Sequence, residues 1–331
     1  MIVDKYLEEK KCRDSLAQIK NVERTRIPLK LKIWINEYEK LGIRNAFIWK
    51  LFIFVQKEIS YISIPNKHRT SLSEIQFLIT MYIILIDDIA DYENNNKLLK
   101  VLSKVPFSQN NINHNKLSKK ESDHIKFTIK IWERINKIIG SYHGYSALKS
   151  IFEYDLEQMI NSINYDHIIN NNRFLINKTE CILHSPHSMK FVIMPTIYLM
   201  CLNKLDPNDI SSTRQVDWMA QKMLRIGNWI STWEREINEG DFTSGVFAYA
   251  LDVGIICLDD FEKDHINLII KKIKDSNVEK ELLDEWYENY LTILKYEKKI
   301  QFLDIKCFLD GLERVLSLEL MRKGIFNEKL T

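Results

Sequence analysis

The stretch from Ser71 to Glu93, SLSEIQFLITMYIILIDDIADYE, decides the fold. Up to Ile86 its apolar residues recur at three- and four-residue spacing, the pattern of a helix that buries a broad face. Ser71 and Glu74 have the Ser-x-x-Glu form of a capping box, so a helix is expected to start there and run to about Glu93. No window reaches the ~20 apolar residues of a membrane span, because YIILI is stopped by Asp87 and Asp88. The helix ends in acid. Acids at that end oppose the macrodipole, so Asp87, Asp88 and Asp91 cost stability unless something cationic offsets them. Asp87 and Asp91 are four apart and project from one face about a turn apart, where they can hold hard, oxygen-seeking cations. The plainer reading is a solvated helix end, which leaves that cost standing.

The rest of the chain repeats the helical pattern. Ile33 to Ser60, rich in aromatics, reads as one helix ended by Pro65, and Asn94 to Ser122 as a polar loop or a short irregular helix pair. Periodicity resumes near His124 and again from Ala147 to Ile163. The run from Glu180 to Met200, ECILHSPHSMKFVIMPTIYLM, carries Pro186 and Pro195 and is expected to be a broken helix. Ser211 to Glu239 is amphipathic and ends at Gly240, and two or three more helices follow. With 9 Gly and 6 Pro, no strand-like alternation and no internal repeat, the chain reads as all-α. The expected organisation is a single antiparallel helical bundle over 31–331, preceded by an N-terminal segment, 1–30.

Composition excludes several functions. In 331 residues, 45% hydrophobic content is ample for a core, and 47 Lys and Arg nearly balance 45 Asp and Glu, so no global field favours nucleic acid or a membrane surface. The five cysteines show no metal or disulfide spacing, and the start, MIVDKYLEEKKCRDSL, lacks the apolar core of a signal peptide, which gives the expectation of a cytoplasmic protein.

A second constellation lies in RIGNWISTWEREINEGD: Asn228, Thr232 and Glu236. Spacings of four and four stack an amide oxygen, a hydroxyl and a carboxylate on one helical face, a set suited to magnesium, although such residues also occupy ordinary exposed stripes. The two sites lie far apart in sequence, and in an antiparallel bundle their helices can face each other across a cavity.

Together these residues resemble a known family. DDIAD is similar to the D-D-x-x-D motif of class I terpene synthases, and NWISTWERE to their second metal motif, N/D-x-x-x-S/T-x-x-x-E. EREINEGDFTSGVFA is similar to the continuation seen in plant-type and labdane-related members. The resemblance implies the class I helical bundle of the catalytic α domain, with Asp87, Asp91, Asn228, Thr232 and Glu236 holding about three magnesium ions and Asp88 in or behind that shell. It implies Arg225 and Arg235 as groups that grip the diphosphate of a prenyl substrate. The carbocation so formed calls for an aromatic-lined pocket, with Trp229 and Trp233 beside the second motif and Phe47, Phe52, Phe77 and Tyr82 on helices expected to line the bundle; plain core packing is the commoner role for such residues.

The expected reaction is magnesium-dependent ionisation of an allylic diphosphate, geranylgeranyl diphosphate or a bicyclic derivative of it by the likeness around Glu234 to Ala248. Farnesyl diphosphate, a chain-elongating transferase and a non-catalytic helical interaction protein are the alternatives, and the resemblance also allows a homodimer. Two family features have no clear counterpart: His184 is the nearest polar candidate for a diphosphate sensor before the helix break, and Arg314 for a basic residue that closes the C-terminus. Asp259 to Asp264, DDFEKD, reads as a solvated turn.

Overall fold

The computed structural model describes residues 20–59, 65–90, 95–108, 117–202, 207–261, 265–300 and 303–323, with the side chains of 207–209 excepted. Among the described residues there is no strand. The helices, in chain order, are α1 (Leu29–Tyr38), α2 (Ala46–Glu58), α3 (Asn66–Asp88), α4 (Asn96–Leu102), α5 (Lys119–Ile139) and α6 (Tyr145–Asn171). They continue as α7 (Lys178–His184), α8 (Ile193–Met200), α9 (Pro207–Glu239), α10 (Gly245–Asp252), α11 (Ile266–Lys274), α12 (Val278–Leu294) and α13 (Ile305–Arg322).

The core is one continuous set of buried apolar side chains drawn from nearly all of these helices. Helix α9 packs against α12 and α13, α3 against α5, and α13 against α2. Helix α3 is the only described helix long and apolar enough to cross a membrane, and 67% of its apolar window is buried inside the protein, so it is a core helix. Leu78, Ile79, Met81, Tyr82, Leu85 and Ile86 are wholly covered.

Two local expectations are corrected. The single helix expected over Ile33 to Ser60 is two, α1 and α2. The chain turns at Gly42, where an added Cβ would fall 2.0 Å from the Tyr38 ring, and Asn45 restarts the helix by accepting from Phe47 N at 3.0 Å. Ser71 and Glu74 do not cap α3. That helix begins five residues earlier, after Pro65, and the buried Glu74 carboxylate instead accepts from Arg134 Nε at 2.7 Å and Lys30 Nζ at 3.4 Å. The capping box in this region is Ser118 with Glu121, at the start of α5. Asn94 to Ser122 includes helix α4, capped by Asn95. The end of the α3 stretch, including Asp91, lies outside the described residues.

The broken helix is as expected: α7 gives way to a 3-10 turn, Ser185–Met189, before α8 begins with Pro195 in its first turn. Helix α9 ends at Glu239, and Gly240 follows at φ 81°. Asp259 and Asp260 sit in a short 3-10 helix, with Lys272 paired to Asp260 at 2.8 Å.

Candidate active site

Two adjoining cavities lie between α2, α3, the α7–α8 break and α9. The first, the more polar of the two at about 210 Å³, has Asp87 in one wall and Asn228, Thr232, Arg235 and Glu236 in another. The two sequence motifs, from α3 and α9, therefore meet on one cavity. Asp166 of α6, Asp241 beyond α9, Arg44, Lys190 and Arg225 complete its charged lining. The second cavity is mostly apolar, about 190 Å³, with Leu51, Phe52, Val55, Phe77, Met194 and Leu224 among its walls. Ile48, Phe52, Thr80, Met189, Lys190 and Asn228 belong to both, so the polar cavity opens onto the apolar chamber.

The neighbouring aspartates of α3 part company. Asp88 is buried and turned away: Tyr38 donates its hydroxyl to Oδ2 at 2.7 Å, and Arg44 Nε donates to Oδ1 at 2.7 Å. The turn at Gly42 brings both partners there. Asp87 faces the cavity and meets only the edge of the same guanidinium, Nη2 to Oδ2 at 3.2 Å. Burial pushes the Asp87 carboxyl up; Arg44 works against this, and Asp88 and Asp241 add to it.

On α9, Arg225 is the hub. Its Nη1 donates to Asn228 Oδ1 at 2.9 Å, its Nε to Ser185 Oγ at 2.9 Å, and its Nη2 to Asp166 Oδ2 at 3.3 Å. The Thr232 hydroxyl donates to the Asn228 carbonyl at 2.7 Å. Arg235 lies along Glu239, 2.8 Å away, and Glu236, 3.8 Å away. Burial raises the Glu236 carboxyl, with Asp241 next in effect. Asp166 is pushed up to about 8 by burial and by Asp241, Asp87 and Glu236, with Arg225 opposing.

Asp166, Asp241, Arg44 and Lys190 line the cavity without having been singled out from sequence. Asp166 carried a usable signal: it continues the core-facing stripe of Phe152, Leu156, Met159 and Ile163, where an acid is out of place. Asp241 sits within the stretch that resembles the family, directly after Gly240. Arg44 and Lys190 had no local signal, since one lies in the connection between α1 and α2 and the other just past a 3-10 helix. Trp229 lines neither cavity; it is buried against Gly245, where a Cβ would come within 2.5 Å of its ring, and lies 5.6 Å from the Arg225 guanidinium. Trp233 and Tyr82 are core, whereas Phe52 and Phe77 reach the chamber. His184 packs on Tyr165, and Arg314 pairs with Glu58; neither lines either of these two cavities. Arg322, also on α13, does line the chamber, tied to Glu319 at 3.1 Å.

The donor set fits hard divalent ions. It is all oxygen, four of its members are carboxylates sharing one cavity, and Asp166 Oδ1 is a buried acceptor with no donor. Among the described residues no three His, Cys, Asp or Glu side chains converge on a single point, and Asn228 Oδ1 is held by Arg225. Ligation therefore asks small side-chain rotations of Asn228 and its acidic neighbours.

The sequence matches no family model and no curated protein. Its fold, however, is that of the class I terpene synthases. Abietadiene synthase from Abies grandis superposes with a TM-score of 0.60 at 11% identity, over 91% of this chain and 38% of that one. Isoprene synthase from grey poplar leaves (Populus x canescens) gives 0.55 at 13% identity, over 99% of this chain and 58% of that one. The same enzyme in complex with three Mg2+ ions and dimethylallyl-S-thiolodiphosphate gives 0.55 at 12% identity, over 99% and 60%. This chain thus spans less than two thirds of the length of each.

Proposed function

We propose that the protein is a magnesium-dependent terpene synthase acting on an allylic prenyl diphosphate, with geranylgeranyl diphosphate or a bicyclic derivative favoured and farnesyl diphosphate as the alternative. One observation carries this reading. The oxygen donors of α3 and α9 share a polar cavity that opens directly onto an apolar chamber. A substrate with a highly charged head and a hydrocarbon tail matches that division.

Asp87, Asn228, Thr232 and Glu236 would hold the magnesium ions, with Asp91 contributing by its place in the motif and Asp166 and Asp241 as added carboxylates in the same cavity. Bound there, the ions would supply positive charge that makes pyrophosphate a good leaving group. Arg225 and Arg235 add fixed charge to the same end, and Arg225, released from Asn228, has donors free to turn toward phosphate oxygens. The carbon–oxygen bond breaks with its electron pair leaving on pyrophosphate, and the allylic cation stays in the chamber. Phe52 and Phe77 present ring faces and edges there, and the aliphatic wall excludes water that would end the reaction early. Asp88 takes no part in ligation; it fixes the α3 end through Tyr38 and Arg44.

A non-catalytic scaffold has no use for carboxylates raised by burial, and further by one another, beside an apolar chamber. Incubating the purified chain with farnesyl, geranylgeranyl and bicyclic diphosphates, with magnesium and with a chelator, tests the reading. A terpene hydrocarbon or alcohol is expected from at least one, with equimolar pyrophosphate, and only with magnesium. No product from any of them, with intact folded protein, would remove the reading.

A further inference from the structure

Lys190 has a place in the fold that the roles given so far do not explain. It follows the 3-10 turn between α7 and α8, and its φ of 54° is the only positive φ outside glycine among the described residues. L side chains adopt that region at a cost, and it persists only where the surroundings hold it. They do so here: Lys190 N donates to the His187 carbonyl at 3.1 Å, Ile193 N donates to the Lys190 carbonyl at 3.1 Å, and Val192 N donates to Gln221 Oε1 at 3.0 Å. The result is a side chain delivered to the seam of the site. Lys190 lines both the polar cavity and the apolar chamber, with its ammonium 5.2 Å from the centre of the Phe52 ring.

That ammonium has no carboxylate partner among the described residues. Burial alone depresses it, to about 7, with no acid opposing the shift. Four carboxylates line the same polar cavity without pairing to it. A cation kept in a sheltered place, on a strained backbone, with only a ring face beside it, is under-compensated. What it lacks is an anion at the seam.

We propose that Lys190 donates to the oxygen of a bound diphosphate nearest the apolar chamber and stabilises the charge that gathers on it as the carbon–oxygen bond breaks. This deepens, and rests on, the reading given under Proposed function. A bound diphosphate opposes the effect of burial and restores the ammonium, so the lysine carries its proton from binding through bond cleavage. The electron pair of the broken bond stays on pyrophosphate, and the carbocation is left on the chamber side of the ammonium. The two positive charges repel, so the cation's further chemistry is confined to the region toward Phe77 and Met194.

The test is calorimetric titration of the full chain with inorganic pyrophosphate in magnesium chloride, paired with thermal unfolding of the ligand-free protein. Lys190→Met and Lys190→Gly are expected to bind pyrophosphate about tenfold more weakly or worse, and Lys190→Arg to keep most of the affinity. Lys190→Gly is also expected to unfold at a higher temperature than wild type, because it removes both the left-handed strain and the unpaired cation. Affinity and stability then move in opposite directions, which a merely structural lysine cannot produce. Unchanged pyrophosphate affinity in Lys190→Met overturns the inference, as does an affinity loss seen only in variants that unfold sooner. If wild type itself binds no pyrophosphate with magnesium, the functional reading falls and this inference with it.

Discussion

Adjacent aspartates do opposite work at the end of α3, and each can be tested alone. Asp88 holds a buried guanidinium and a buried tyrosine hydroxyl, so Asp88→Asn leaves Arg44 without its main counter-charge; a loss of about 3 kcal/mol in denaturant unfolding is expected. Asp87→Asn relieves crowded negative charge and is expected to leave stability unchanged or raised, while lowering turnover by roughly two orders of magnitude or more. Asn228→Ala is expected to match it in turnover. Equal destabilisation by the two aspartate variants would contradict the division. From sequence the helical period sets Asp87 and Asp91 on one face and leaves Asp88 aside; what holds Asp88 was not legible, because its partners Tyr38 and Arg44 flank a turn that no local pattern announces. The stack of Asn228, Thr232 and Glu236 was legible for the opposite reason: one helix and its period fix their relative positions.

At the scale of elements, the position of α13 depends on a glycine. An added Cβ at Gly311 would come within 2.2 Å of the Glu58 carbonyl at the end of α2, and backbone cannot swing aside as a side chain can. Gly311→Ala is expected to cost about 1–3 kcal/mol by thermal unfolding and to disturb the chamber wall that α2 and α13 share. A neutral effect would mean that the helices separate freely. Element identity was legible wherever amphipathic period ran long, as in α5, α6 and α9. Boundaries were legible only in part: α9 ends at Glu239 before Gly240 as expected, whereas the starts of α2 and α3 are not where the local pattern puts them. Ser71 and Glu74 imitate a cap, yet Glu74 is spent on Arg134 from α5, a tertiary partner invisible to a local motif. The division of 33–60 into α1 and α2 was hidden because the turn at Gly42 is built by the Tyr38 ring and Asp88 rather than by proline.

For the whole molecule, the burial of Asp87, Asp166 and Glu236 in one acidic cavity makes stability and metal binding depend on pH in opposite senses. Asp166, at about 8, and Glu236 and Asp87, also raised, retain protons that the unfolded chain has already released. Their contribution to stability is therefore complete below the ordinary carboxylate range and is lost as pH rises through to about 8. Divalent ions take the deprotonated forms, so the increase in unfolding temperature caused by magnesium should be larger at pH 8 than at about pH 6. An equal increase at both would place the ions elsewhere. The bundle and its facing motifs could be read from order and spacing; the third acid, Asp166, could not be assigned, since its role exists only where α6 comes alongside α9.

The central claim is that donors from α3 and from α9 hold the same ions around a diphosphate. Manganese, a spectroscopic substitute for magnesium, tests it most directly, by electron paramagnetic resonance titration in the presence of inorganic pyrophosphate. Wild type should bind more than one manganese ion per chain, and Asp87→Asn and Asn228→Ala, on different helices, should each abolish that binding. Wild-type manganese binding in either variant would contradict the account.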